Sequence, residues 1–249
     1  MTNWKKGLII VLDIVIGVYL VLAVTAFNKP DERASVCSEV RINIEQGDGG
    51  GFLTENDVRQ ILVQNRILPV GQAMKQIQVR QIEDKLRAID MIEKADCYKT
   101  QSGHVCINIR QRTPVVRVLT QNGDDYFVDN QGETLRPVGY TSDVVVATGN
   151  ISRTYAQKRL APLANTILKD KFWRNQIVQL NVLQDGSVEI VPRVGEHIIY
   201  IGQPTGVVRK LDRMRKFYRY GLSQAGWNKY ARISVEFDNQ IICKKKTKK

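Results

Sequence analysis

One uninterrupted apolar run, Gly7 to Phe27, constrains this chain more than any other feature: GLIIVLDIVIGVYLVLAVTAF is 21 residues long with Asp13 as its one charge. A helix rises about 1.5 Å per residue and a bilayer core takes about 20 apolar residues, so the run has the length of one crossing. No second run in the 249 residues approaches it. Lys5 and Lys6 precede it, whereas the flank after it mixes Lys29 and Arg33 with Asp31 and Glu32. That basic bias makes 1–6 a cytoplasmic tail and 7–27 a transmembrane helix, with everything beyond outside the inner membrane. The competing reading is a cleaved signal peptide, with Val24-Thr25-Ala26 as its small-residue site. Signal-peptide apolar cores occupy about 7–15 residues, so the length favours an uncleaved anchor. Asp13 reads either as a tolerated interfacial carboxylate or as a polar contact to a partner helix.

The net charge is +12, and +11 remains for the exported part once Lys5, Lys6 and Asp13 are set aside. Five of those charges belong to a C-terminal run, Lys244, Lys245, Lys246, Lys248 and Lys249, which reads as a solvated, disordered tail over 244–249. An exported basic surface faces no nucleic acid. Attraction to anionic lipid or acidic envelope polymers stays open, but a charge run alone says little.

Four cysteines, Cys37, Cys97, Cys106 and Cys243, would then sit in an oxidising space, where three pairings are available. Cys97 to Cys106 reads as two strands around Gln101-Ser102-Gly103. A loop of two residues (Gln101-Ser102) or four (Thr100 to Gly103) sets Cys97 opposite Cys106, whereas a three-residue loop does not. Buried free thiols are the alternative.

Residues 28–35 read as a tether containing Pro30. Val36, Val40, Ile42 and Ile44 suit a first strand, broken by Gln46-Gly-Asp-Gly-Gly-Gly51. No Lys-Ser or Lys-Thr follows these glycines, so they make a turn and not a phosphate loop. Thr54 then caps a helix whose buried stripe is Val58, Ile61 and Leu62, with Leu53 packing back on Val58. A second helix around Gln81 to Ala88 presents Ile82, Leu86 and Ile89, and Ile92 to Tyr98 with Val105 to Ile109 closes a hairpin. Strand, helix, helix, strand, strand over 36–111 is a small α+β unit.

Over 112–243 strands dominate. Val115 to Val118 and Tyr126 to Val128 flank an Asn122-Gly123 turn, and Asn130-Gln-Gly132 makes another. Thr154 to Leu168 is helical in period, with Pro162 as a kink. Ile177 to Leu183, Val188 to Val191 and His197 to Ile201 read as antiparallel strands, the first two joined at Asp185-Gly186. Val207 to Tyr220 is a basic amphipathic helix whose Leu211, Met214 and Phe217 face inward, as in a helix lying on a sheet. Ala231 to Cys243 reads as one unusually long last strand.

Several phrases in this order resemble the bacterial cell-division family FtsQ/DivIB, in the form seen in Bacteroidetes. They are Ile107-Asn-Ile-Arg-Gln-Arg-Thr-Pro114, Val128-Asp-Asn-Gln-Gly132, Ala147-Thr-Gly149, Pro192-Arg-Val-Gly195 with Ile201-Gly202 and Lys210-Leu211, and Ile233-Ser-Val-Glu-Phe237. Each phrase is weak alone, but their order and spacing together are strong, and the resemblance spans nearly the whole chain. Three positions depart from the family pattern: Gln111 stands where Glu is usual, and Glu236-Phe237 where many members have Arg-Tyr. The resemblance implies a POTRA domain followed by a β domain. It implies a single-pass inner-membrane scaffold at the division septum, without enzymatic activity or cofactor. Its implied partners are FtsB- and FtsL-like single-pass proteins, which add a strand at the last sheet edge, and upstream division proteins, which meet the POTRA strands. On that basis Tyr230, Ile233, Val235, Phe237 and Asn239 are the expected binding-edge residues, although alternation assigns about half of them to the core.

An enzyme has little support in the sequence. His104 and His197 lie in no metal-ligand spacing, and neither a Gly-x-Ser-x-Gly nor a Ser-x-x-Lys phrase occurs. Asp124, Asp125 and Asp143 are turn carboxylates. From another class, a POTRA chaperone or translocation factor that binds unfolded envelope clients by strand addition is the alternative.

Overall fold

The computed structural model describes residues 3–27, 36–45, 53–136 and 144–246. The tether, the Gln46 to Gly51 turn, Asp143 and the last two lysines lie outside them. The chain divides into two compact units, one of residues 1–43, 55–86 and 95–108, the other of 44–54, 87–94 and 109–249.

The apolar run lies in one continuous helix, α1 (Asn3–Phe27), of 25 residues. Its side chains are described over 10–24, where all but half-buried Ala23 are exposed. Among the described residues no helix is long and apolar enough to cross a membrane. The crossing expected over 7–27 extends at both ends beyond the continuous run of residues whose side chains are described.

The three-stranded sheet has the order β1-β3-β2, with β1 (Glu39–Glu45), β2 (Ile92–Lys99) and β3 (His104–Gln111). Its buried face alternates through Val40 and Ile42 of β1 and Val105, Ile107 and Ile109 of β3. Helices α2 (Glu55–Gln64) and α3 (Val79–Arg87) bury Val58 with Leu62 and Ile82 with Leu86. The β2–β3 loop settles the register left open above. The Thr100 N–H donates to the His104 carbonyl at 2.9 Å, closing a three-residue loop. That is the loop length that does not oppose Cys97 to Cys106. Cys97 is buried, Cys106 is half-buried, and all four cysteines are free thiols. Burial, with the Glu83 carboxylate nearby, pushes the Cys97 thiol up to about 12.

A nine-stranded sheet of order β12-β11-β10-β9-β8-β7-β4-β5-β6 forms the second unit. Its strands are β4 (Pro114–Thr120), β5 (Asp125–Asp129), β6 (Thr134–Leu135), β7 (Val145–Gly149), β8 (Ile177–Val182), β9 (Val188–Pro192), β10 (Ile198–Gly202), β11 (Tyr230–Ser234) and β12 (Ile242–Lys245). Most pairs are antiparallel, including the expected β8-β9-β10 meander; β4/β7, β7/β8 and β10/β11 are parallel. Parallel neighbours need a crossover, and both crossovers that start from helix-bearing connections advance the same way across the sheet from like-directed strands. Right-handed connections then set both helical segments on one face. The first is α4 (Arg153–Tyr155), a π-helical turn Ala156–Leu160, α5 (Ala161–Lys169) and α6 (Lys171–Gln176); the second is α7 (Val207–Phe217), a π-helical turn Tyr218–Leu222 and α8 (Ser223–Ala225). Pro162 sits in the first turn of α5, where its missing N–H is tolerated, and the wider turn precedes it. Beneath the helices lies one core, with Leu180, Ile190, Ile199 and Ile233 from the sheet and Leu160, Ile167, Trp173, Leu211 and Met214 from the helices.

Gly149 ends β7 at φ +107°, and a Cβ there would stand 2.1 Å from the Val182 carbonyl oxygen. The Ala-Thr-Gly phrase therefore records a close approach of two backbones.

Candidate interaction edge

The expected long last strand is two strands. Apolar alternation breaks at Asp238-Asn239-Gln240, where Asn239 takes φ +63°, a conformation Asn tolerates better than branched residues. Arg213 of α7 holds the connection from below, donating to the Val235 carbonyl at 2.9 Å and to the Asp238 carboxylate at 3.2 Å. The Val235 N–H continues the pairing with β10 by donating to the Tyr200 carbonyl at 2.9 Å. Lys210 caps the other side of this region, its ammonium donating to the carbonyls of Ile201 at 2.8 Å and Gln203 at 2.9 Å. Burial pulls the Lys210 pKa down, yet both bonds are those of an ammonium fitted to backbone oxygens.

The chain then returns as β12, antiparallel to β11, with Ser234 opposite Ile242, Ile233 opposite Cys243 and Arg232 opposite Lys244. Cys243 and Ile241 pack on the core, and burial raises the Cys243 thiol. Ile242 is 51% exposed, and Lys244 and Lys245 are exposed. The expected disordered tail is thus structured through Lys246, whose N–H donates to the Lys229 carbonyl and whose ammonium pairs with Glu196. Among the described residues β12 has a strand neighbour on one side only. Its other side presents unpaired backbone groups, the feature a further strand can complete.

The expected edge residues distribute around this strand. Tyr230 is half-buried at the start of β11, beside Phe217 with ring centroids 6.3 Å apart. Ile233 and Val235 are fully buried beneath the helices. β11 runs between β10 and β12, so its residues lie one strand inside the edge. Phe237 (51% exposed) and Asn239 are on the connection to β12. Ile242, Lys244 and Lys245 are the residues that sequence reasoning left out of the edge. The Asp-Asn-Gln triplet was the turn signal that would have located them.

A buried histidine stands behind this edge. His197 Nε2 lies 2.8 Å from the Tyr218 hydroxyl, in a cluster with Trp227 and Trp173 around the Tyr218 ring. Burial, reinforced by the Lys246 charge, holds its pKa below the ordinary value. The cluster offers no open nucleophile–base pair, and among the described residues no group of three or more His, Cys, Asp or Glu is placed to hold a metal ion.

A model described as FtsQ/DivIB, C-terminal related, matches residues 113–244, and one described as POTRA-like domain matches residues 35–110. No curated protein matches the chain. The Ala147-Thr-Gly149 contact, the Lys210 clamp and the final strand pair up to Lys244 fall inside the first match, which covers more than half of the 249 residues. This chain therefore belongs to the FtsQ/DivIB family.

Proposed function

We propose that this protein is a scaffold of the bacterial division machinery that binds FtsB- and FtsL-like single-pass proteins by adding their extended segments to the free side of β12. FtsQ/DivIB and POTRA domains are non-enzymatic scaffold domains, and a role in cell division follows from the family. The observation that carries the finer reading is the position of β12 at the end of the nine-stranded order, with Ile242 and Lys244 exposed on it. Backbone pairing supplies affinity in such a complex and alternate side chains supply specificity. Phe237 extends this surface, whereas Ile233 and Val235 contribute the rigid floor that keeps β12 in register.

In this reading α1 anchors the chain in the inner membrane, N-terminus inside, with the POTRA and β domains outside at the septum. The apolar surface of α1 beyond its first turn, broken by Asp13 alone, and the paired Lys5 and Lys6 near its start support the anchor. An anchor shared with single-pass partners raises their effective concentration at β12 without requiring tight intrinsic affinity. The POTRA strands serve upstream division proteins, and no cofactor is needed.

Photo-crosslinking in the native cell from Lys244, from Phe237 and from the buried control Ile233 tests the proposal. Capture of one or two small single-pass proteins from Lys244 and Phe237, and of none from Ile233, is expected. A broad set of unfolded outer-membrane clients at the same positions would replace the scaffold by an envelope chaperone, and equal capture from all three would remove β12 as the site.

A further inference from the structure

The charge of the molecule is concentrated on its helical layer. Residues 153–176 and 207–225 carry twelve Lys and Arg against two Asp, a net +10 out of +12, so all other residues together are close to neutral. Both carboxylates are already engaged, Asp170 with Arg215 and Asp212 with Lys216. Of the twelve cations, Lys210 and Arg213 turn inward to the carbonyls described above, and nine are exposed, among them Lys158, Lys169, Lys171, Arg174, Lys216 and Arg219. Both segments cover the same face of the sheet and bury their apolar sides in one core, so their exposed cations point away from it. The uncovered face of the sheet differs: Arg117 pairs with Asp125 and Arg232 with Glu189, while Gln179 donates to Thr148.

Large apolar side chains stand between these cations. Val208 is 68% exposed, Tyr220 62% and Phe172 38%, with Val208 beside a shallow groove of about 500 Å3 between α5 and α7. Scattered cations interleaved with aromatic and aliphatic side chains suit the headgroup region of an anionic bilayer, which neutralises the former and accepts the latter. A tightly packed protein interface has an apolar buried centre, whereas here each of these exposed apolar side chains is flanked in sequence by a cation.

We infer that the outer face of the α5–α6 and α7 helical layer is a docking surface for an anionic lipid bilayer. The inference rests on the reading of α1 as an anchor, which keeps this layer within reach of a membrane. Lipid contact would hold the β domain down, with the free side of β12 presented along the membrane to other single-pass chains.

Lysine acylation read by mass spectrometry tests it on the full chain reconstituted through α1 into nanodiscs. Discs of phosphatidylcholine alone are compared with discs containing phosphatidylglycerol. Lys158, Lys169, Lys171 and Lys216 should react at least threefold more slowly on the anionic discs and recover in 0.5 M NaCl, while Lys75 and Lys85 stay unchanged. A fourfold variant, K158Q/K169Q/K171Q/K216Q, should keep its thermal transition and lose lipid-dependent protection of the same layer, followed in hydrogen exchange of α7. Equal reactivity on both discs overturns the inference. Protection by soluble polyglutamate but not by phosphatidylglycerol also overturns it and assigns the face to an acidic polypeptide. A chain that fails to enter even the phosphatidylcholine discs refutes the anchor instead, a result read separately by flotation.

Discussion

Gln111 shows how a single atom decides what a position tolerates. Its side-chain oxygen accepts the Leu53 N–H and its side-chain nitrogen donates to the Leu53 carbonyl, each at 3.0 Å, with the residue 5% exposed. An ionised Glu there, usual in the family, would accept one bond but could not return the other. The departure from the family's usual Glu is therefore a two-bond amide clasp. His197 makes a prediction at the same scale. In the unfolded chain its imidazole takes a proton near pH 6.5, whereas burial and then Lys246 resist protonation in the folded state. Below that pH the unfolded state binds more protons, so the stability present above about 6.5 is lost as pH falls, by at most about 1.4 kcal/mol per pH unit. Thermal unfolding between pH 7.5 and 5.5 should show a smaller decline in His197→Gln, which keeps a hydrogen-bonding group toward the Tyr218 hydroxyl. Equal slopes would mean that the histidine is not the responsible group.

Among elements, the strands with clean alternation were the legible ones. Val105, Ile107 and Ile109, or Val188 and Ile190, announce both their conformation and their buried face. The last two strands were not legible in the same way, because Phe237 and Ile241-Ile242 keep an apolar rhythm across a turn whose hold comes from Arg213, a residue more than 20 positions earlier. Parallel pairing of β10 with β11 was equally hidden, since it depends on the crossover through α7. The same logic bears on the edge. Arg213→Met should cost about 1–2 kcal/mol, chiefly from the Val235 carbonyl left without its charged donor, because the exposed Asp238 end of the pair is screened by water. Hydrogen exchange over 235–246 should accelerate more than in β8 or β9, with β4 unaffected. Uniform acceleration throughout the sheet would show that Arg213 supports the whole unit and not the β12 connection.

At the scale of the molecule, an apolar helix, a POTRA-like domain and an FtsQ/DivIB-related β domain follow one another, and the proposed function depends on the first staying attached to the others. An extended strand edge near a crowded envelope is an aggregation hazard as well as a binding site. Confinement by α1 would limit its encounters to chains sharing the same membrane, so retention of the helix and specificity of β12 are linked. Cleavage after Ala26 would release both domains and abolish that link, whereas an intact anchor keeps it. Proteolytic mapping of the chain from the membrane fraction of native cells separates the two: a peptide crossing Thr25 to Asn28 should be recovered, and alkaline carbonate should not extract it. Recovery of a new N-terminus at Phe27 in the soluble envelope fraction would convert the helix into a leader, and both the shared confinement and lipid docking through the basic layer would lose their physical basis.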